Sequence, residues 1–344
     1  MLSERETVKP RTPVFDPRYL MVALGRENGD TDDIWRSSGF ISGVIRLKSA
    51  TPSGFRFGSR AFGLGWDSFR VALKVLLSAR PGPVLASNPW VGVALRLTGR
   101  RHVSVTGIYA EPGSRSHRIL RFFLRDSSIV TLLDREADSW NNLGGRAKAV
   151  LYGNTFGYPP AQPADPPQQQ IRIFIGGMSD RDIDAMKSLE AEVRGSQLPV
   201  SLTITAREDP SRWTNGVSVI HHTGWVTPDV FGVSLASADV VFLPVAAGNR
   251  AAGHMVAIGA LEVGTPVVAT RSAAMNGYVD GTHIRFVDDS SSGVLDQLVE
   301  VARQGRRDRA ANKAFWADTF SLDAYVTRVG EALSELDQTV ICDR

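Results

Sequence analysis

"AAGHMVAIGALEVGTPVVAT", residues 251–270, reads as a helix that opens at Gly253 and His254, stops at Gly264 and hands over to a buried strand, Pro266 to Ala269. Glycine brings no side chain to the free N–H groups of a first helical turn. An uncapped helix start is the usual seat of an anion, so the stretch raises the question of whether one is bound here.

The surrounding pattern is regular. Apolar runs "IRIFIGG" (171–177), "VSLTITA" (200–206), "VSVIHH" (217–222), "DVVFLPV" (239–245), "TPVVAT" (265–270) and "HIRFV" (283–287) alternate with segments of helical length. Such alternation predicts a parallel sheet covered on both faces. The first half repeats the theme with "YLMVALG" (19–25), a helix near Asp67 to Ser78, "PVLASNP" (83–89), "HVSVTGIYA" (102–110), "SIVTLLD" (128–134) and "AKAVLYGNT" (147–155). Between the halves, "YPPAQPADPPQQQ" (158–170) has no apolar period and reads as a linker. The last segment, 309–336, is helical with a break near Ser321, where "SLDAY" supplies a new cap; its length lets it return to the first domain. The expected class is α/β: two Rossmann-like domains facing across a cleft, divided as 1–160, 161–312 and returning helices 313–344.

A chain of 344 residues, 43% hydrophobic and 22% charged, is of soluble globular type and large enough for two domains. No run approaches the roughly 18 to 20 unbroken apolar residues that cross a bilayer. The polar opening "MLSERETVKPRTPVFDP" lacks an apolar signal core, so export is not expected. The single cysteine, Cys342, excludes an internal disulfide and fits a reducing cytoplasm. The net charge of +3 conceals an asymmetry: 23 Lys and Arg stand against 14 Asp and Glu up to residue 165, and 16 against 22 beyond it. The basic half favours an anionic partner or a membrane surface, and no nucleic-acid partner is expected.

A second helix start follows "IRIFI". In "GGMSDRDIDAMKSLEAEV" (176–193), Gly176 and Gly177 permit close backbone approach, and Ser179 or Asp180 can cap a helix with Arg181 in its first turn. A glycine turn, a helix terminus and an arginine make a cradle for a diphosphate, although an ordinary strand-to-helix turn with a surface arginine has the same letters. His254 is either a ligand-facing group, a polar cap or a solvent-facing imidazole, and Arg250 adds positive charge just upstream.

The second half resembles the nucleotide-sugar domain of GT-B glycosyltransferases, in particular the glycosyltransferase family 4-like group. The resemblance rests on "GGMSDRD", "HHTGWV", "LASADVVFLPV", "AGHMVAIGALEVGTPVVAT", "GYVDGTHIRFVDD" and "FSLDAYVTRV" over 171–330; the first half is similar in outline through "VLASNPWVGVALRLTGRRHVSVTGIY". What it implies is transfer of a sugar from a nucleoside diphosphate donor, with no further cofactor, to a glycan, lipid-linked or small-molecule acceptor, with retention at the anomeric carbon. Gly177 and Arg181 fall where the family holds the diphosphate, Arg250, Gly253, His254 and Met255 at the helix start facing phosphates and sugar, and Trp225, Val226 and Thr227 where relatives receive the base. Many relatives carry two glutamates eight positions apart where this chain has Ala251 and Gly259. Glu262 is three residues further on, about 300° around the helix from Gly259, and is the remaining candidate for the ribose.

In the first domain Gly25, after "YLMVAL", can admit donor or acceptor near its backbone. Glu111, beside Tyr109 at a strand's carboxyl end, is the preferred general base, with Asp134 second. "SRSHRILRFFLR" (114–125) spaces Arg115, Arg118, Arg121 and Arg125 helically beside Ile119, Phe122 and Phe123, suited to an anionic lipid surface, to a phosphorylated acceptor or to packing on its own sheet with a solvated outer face. "DTDD" (30–33) contains D-x-D but reads as a solvated turn; His221 and His222 alternate across a strand, which argues against a zinc site, and no P-loop occurs. The leading reading is a cytoplasmic, metal-independent glycosyltransferase, in envelope polysaccharide or natural-product assembly. A nucleotide-sugar-binding protein without catalysis, and a nucleotide-sugar epimerase, stand beside it.

Overall fold

The computed structural model describes residues 19–24, 29–47, 57–78, 82–108, 110–159, 170–177, 179–205, 210–248, 250–287 and 293–342. The first domain runs β1 (Tyr19–Leu24), α1 (Gly29–Ser37), β2 (Ile41–Leu47), α2 (Phe57–Leu77), β3 (Val84–Ala86), α3 (Pro89–Leu97), β4 (Val103–Thr106), α4 (Arg115–Leu124), β5 (Ser128–Thr131), α5 (Asp134–Asn141) and β6 (Arg146–Ala149). Its six strands form one sheet in the order β2-β1-β3-β4-β5-β6, parallel throughout. Strands this short and apolar, such as "VLA" and "VSVT", are buried on both faces.

The second domain runs β7 (Ile171–Ile175), α6 (Ile183–Gly195), β8 (Val200–Ile204), β9 (Ser211–Thr214), β10 (Val219–His222), α7 (Pro228–Ser237), β11 (Val240–Leu243), α8 (His254–Glu262), β12 (Val267–Ala269), a 3-10 turn (Ala273–Met275), β13 (Ile284–Phe286) and α9 (Val294–Thr319). The sheet order is β13-β12-β11-β7-β8-β10-β9, parallel except for the edge strand β9. The order reverses between β7 and β11, the crevice at which open α/β sheets bind ligands.

From α9 the chain turns at Phe320 and Ser321 into α10 (Leu322–Cys342), and the Ser321 hydroxyl accepts from Ala324 N at 3.3 Å as the expected cap. Helix α10 lies on the first domain: Leu322, Tyr325, Val326, Val329 and Leu333 share a core with Tyr19, Met21, Leu85 and Val130. The connecting strand of chain after β6 crosses α10 at its start. Gly153 is required there, since a Cβ would stand 2.6 Å from the Ser321 carbonyl oxygen.

One local reading needs correction, and two strands lie outside the pattern the sequence showed. "DTDD" lies in α1, where Asp32 is buried and paired with Arg46 of β2, not in a solvated loop. Strand β2, "ISGVIRL", escapes the apolar pattern because Gly43 and Arg46 interrupt it, and β9 because its residues are mostly exposed. The linker expected over 158–170 falls largely outside the described residues, while the stretch 150–159 just before it is packed structure.

Candidate active site

The carboxyl ends of β7 and β11 meet at the switch point. After β7 the chain turns through Gly177, in the left-handed region at φ +84°, and a Cβ there would collide with the Arg181 guanidinium and stand 3.2 Å from Val256 of α8. The two glycine turns singled out in the sequence are therefore neighbours, with Arg181 between them. Arg181 precedes α6 rather than joining its first turn: it forms a bridge with Val245, and the cap is Asp182, whose carboxylate accepts from Asp184 N at 3.1 Å and Ala185 N at 3.0 Å. That carboxylate occupies the amino end of α6, which removes it as an anion seat.

The Arg181 side chain folds back on its own turn, Nε and Nη2 donating to the Gly176 carbonyl at 3.1 and 2.6 Å and Nη1 to Ser179 O at 3.3 Å. Burial brings the guanidinium down to about 10 from its ordinary 12.5. The neighbouring Asp180, at φ +53°, ion-pairs with Arg250. Two guanidiniums and one carboxylate thus stand at the crevice, an excess of positive charge in which the more deeply set cation holds only carbonyl acceptors among the described residues.

The amino end of α8 is bare. Gly253, at φ +80°, is the N-cap and makes no side-chain cap. A substituent on it would press on Val245 at 2.9 Å, so the glycine serves both the left-handed turn and close approach to the β11 loop. His254 is not the solvent-facing imidazole that the sequence left open. It is buried between Tyr152 and Tyr278, ring centroids 5.3 and 5.4 Å away, with Nδ1 lacking a hydrogen-bond partner among the described residues. Desolvation pulls it down to about 4, so the ring is neutral near pH 7. Met255 is half exposed at the same helix start.

A cavity of about 160 Å³ opens between the domains, lined by Glu111 on one side and by Asp180, Ala246, Gly248, Arg250 and Ala274 on the other. Glu111 thus faces the positive turns across the cleft. Trp225, 67% exposed, and half-buried Val226 stand in the loop between β10 and α7. Gly25 and Tyr109 lie outside the described residues. Asp134 is exposed in the first turn of α5.

Two carboxylates take roles the sequence did not indicate. Glu136, buried in the first turn of α5, accepts from Leu132 N at 3.0 Å and, across the domain boundary, from Ala251 N at 3.3 Å. It brings a carboxylate to the residue where the resemblance expects a glutamate and the chain has alanine. The clue was its third position in the helix, where acids fold back on a cap, but its partner 115 positions away had no local signature. Burial raises the Glu136 carboxyl above its ordinary value. Glu262, expected near the ribose, is corrected: its two oxygens accept from Phe156 N at 2.9 Å and Gly157 N at 2.8 Å. The strap 150–159 also fills the space at Gly259, where a Cβ would stand 2.9 Å from the Tyr158 ring, itself stacked on Phe156 at 5.1 Å. The helix face at Gly259 is therefore covered by aromatic rings.

Two Rossmann-like sheets, a switch-point cleft between them and a last helix returning to the first domain define the GT-B fold. In solved structures the chain is similar to sucrose-phosphate synthase from Thermosynechococcus elongatus, at 14% identity and TM-score 0.63 over 94% of this chain and 100% of that one. It is also similar to HepE from Anabaena in complex with UDP and glucose, at 14% identity and TM-score 0.58 over 91% and 99%, and to α,α-trehalose 6-phosphate synthase from Burkholderia multivorans, at 10% identity and TM-score 0.59 over 95% and 100%. No family model matches the chain, and no curated protein does at the level of sequence.

Proposed function

We propose that the protein is a glycosyltransferase that moves a sugar from a nucleoside diphosphate sugar, held by the second domain, to an acceptor hydroxyl held by the first, with retention and without a metal. The observation that carries this reading is the bare start of α8 at Gly253, set beside Arg181 and Arg250 at the switch point and opposite Glu111. A departing nucleoside diphosphate gains negative charge, which a helix terminus and guanidiniums stabilise. Glu111 is placed to take the acceptor proton, while His254, enclosed between Tyr152 and Tyr278 and not part of the cavity lining, supports the α8 start from behind. Exposed Trp225 offers a face for the base. UDP is the first donor nucleotide to try, because HepE is known in complex with UDP and with UDP-glucose.

The acceptor is a glycan, a lipid-linked sugar or a small molecule, and the reading includes work in the cytoplasm with peripheral contact of residues 114–125 to a membrane. No described helix is long and apolar enough to span one. Envelope polysaccharide or glycolipid assembly fits the basic first domain.

A second reading, nucleotide-sugar binding without catalysis, is favoured by the strap over Gly259 and by the engaged Glu262 carboxylate. Calorimetry with UDP, GDP and ADP, followed by incubation with the corresponding donor sugars, separates the two. Binding with slow donor hydrolysis supports transfer; binding with no turnover towards any acceptor supports the second reading; absence of any nucleotide binding refutes both.

A further inference from the structure

Helices α2, α3 and α4 lie side by side on one face of the first sheet, seated by Val71, Ala72 and Val75, by Val91 and Leu95, and by Leu120 and Leu124. Their outer side is unusually apolar for a surface. On α2, Trp66, Phe69, Leu73, Leu76 and Leu77 are 41–76% exposed and share one stripe; Leu97 at the end of α3 is 61% exposed and Phe122 on α4 is 80% exposed. These residues are continuous: Arg100 donates to Val75 O at 3.4 Å, and one surface hollow is lined by Arg96, Leu97, Arg100, Arg101 and Phe122. Contiguous apolar exposure of this kind marks an interaction surface.

The charge around it selects the partner. Between residues 57 and 125 the sequence holds 11 Lys and Arg but only two acids, Asp67 and Glu111. Asp67, buried at 2% exposure, pairs with Arg70 at 3.7 Å, and Asp126 just beyond α4 pairs with Arg96 at 3.6 Å, so the few acids near this face leave it with a large excess of cations. Arg70, Lys74, Arg101, Arg115, Arg118 and Arg125 are exposed. A second copy of this chain would set the same cations against one another, since a two-fold interface pairs like with like. An anionic bilayer meets both features, with aromatic and leucine side chains entering the headgroup boundary and cations resting on lipid phosphates.

We infer that the α2–α3–α4 face docks on a membrane rich in anionic lipid. The loop carrying Glu111 leads directly into α4, Ser114 N donating to Glu111 O at 3.0 Å, so docking brings the cleft's first-domain rim to the lipid surface. The docking itself stands whether or not the proposed sugar transfer does.

The test is co-sedimentation of the full chain with vesicles of phosphatidylcholine alone and of phosphatidylcholine with one third phosphatidylglycerol, at low and high salt. Binding is expected only to the anionic vesicles and to weaken with salt. Arg118→Gln combined with Arg125→Gln should lower partitioning about 25-fold, at about fivefold for each cation removed. Leu76→Ser, Leu77→Ser and Phe122→Ser together should lower it at least as much. All five side chains are exposed, and unchanged thermal melting checks that the variants fold. Equal binding to both vesicle types, no binding to either, or a dimer in sedimentation equilibrium that the apolar triple variant dissociates would each overturn the inference.

Discussion

His254→Phe offers the most direct check on how the α8 start is built. The imidazole is enclosed by Tyr152 and Tyr278, and its pKa falls from 6.5 to about 4 because burial disfavours the charged form. The folded chain therefore holds this ring neutral while the unfolded chain takes up a proton below 6.5. Stability from His254 is complete above the unfolded value and is lost as pH falls towards the folded one. With these two values the loss between neutral pH and pH about 4.5 comes to about 2.5 kcal/mol. Phenylalanine fills a similar shape between the two tyrosines and does not titrate. Glu136 and Glu262, both raised by burial, act in the opposite sense over this range, and His117, lowered by burial, in the same sense; all three cancel when variant is compared with wild type. Urea unfolding followed by tryptophan fluorescence at a series of pH values should therefore show the variant gaining about 2.5 kcal/mol on wild type as pH drops. Parallel stability curves would refute the argument, because they would mean that the ring is solvated in the folded chain.

Arg181→Ala removes the deeper guanidinium of the crevice, and UDP binding measured by calorimetry should weaken about 10- to 150-fold, one charge-assisted bond being worth about 1.5 to 3 kcal/mol. Gly259→Glu, which recreates the acid expected from the resemblance, should not restore a ribose contact; it should overpack against Tyr158 and lower stability by about 1 to 3 kcal/mol in chemical denaturation. Glu136→Gln keeps the size of a carboxylate whose pKa is raised above 4.5. The raised carboxyl contributes stability that is full at low pH and lost as pH rises through its folded value, so the variant should gain on wild type as pH rises, read from the same unfolding series.

How much of this was legible follows from the distance between partners. The bare start of α8 could be read because Gly253 and its helix are adjacent in sequence, and the place of Arg181 beyond a strand's carboxyl end because it follows "IRIFI" closely; the strand order that makes this end a switch point is not contained in the alternation of apolar runs. The detail failed where competing local acids had to be ranked: Asp182 caps α6, although Ser179 and Asp180 carry the same capping chemistry. The rest depended on contacts between residues more than a hundred positions apart. Glu136 meets Ala251, Tyr278 meets Leu132 and Tyr152, and Glu262 meets the strap. Gly259 shows the consequence. Read along the helix it is a lost carboxylate; in the fold it is the space that Tyr158 and Phe156 fill.

These long-range contacts converge on one place. The chain crosses between domains twice, in the strap at Gly153 and in the turn at Phe320 and Ser321, and the crossings touch: Asn154 N donates to Phe320 O at 2.9 Å and Trp316 Nε1 to Asn154 O at 3.2 Å. From that crossing the strap runs on to Glu262 at the far end of α8, while Tyr152 and Tyr278 enclose His254 at its near end. Helix α8 is thereby tied to the interdomain crossing at both termini. A change in the angle between the domains would have to move the very turn that presents its amides to the cleft, so donor binding at Gly253 and domain closure share one mechanical element. Glu262→Ala should separate them: it leaves Phe156 N and Gly157 N without their acceptor and frees the strap at the far end, while leaving Gly253, Arg181 and Arg250 in place. Loss of two bonds to a buried carboxylate should lower stability by about 2 to 4 kcal/mol. If the coupling holds, hydrogen exchange will rise in 150–159 and also at the start of α8, and increased exchange confined to the strap would break the link.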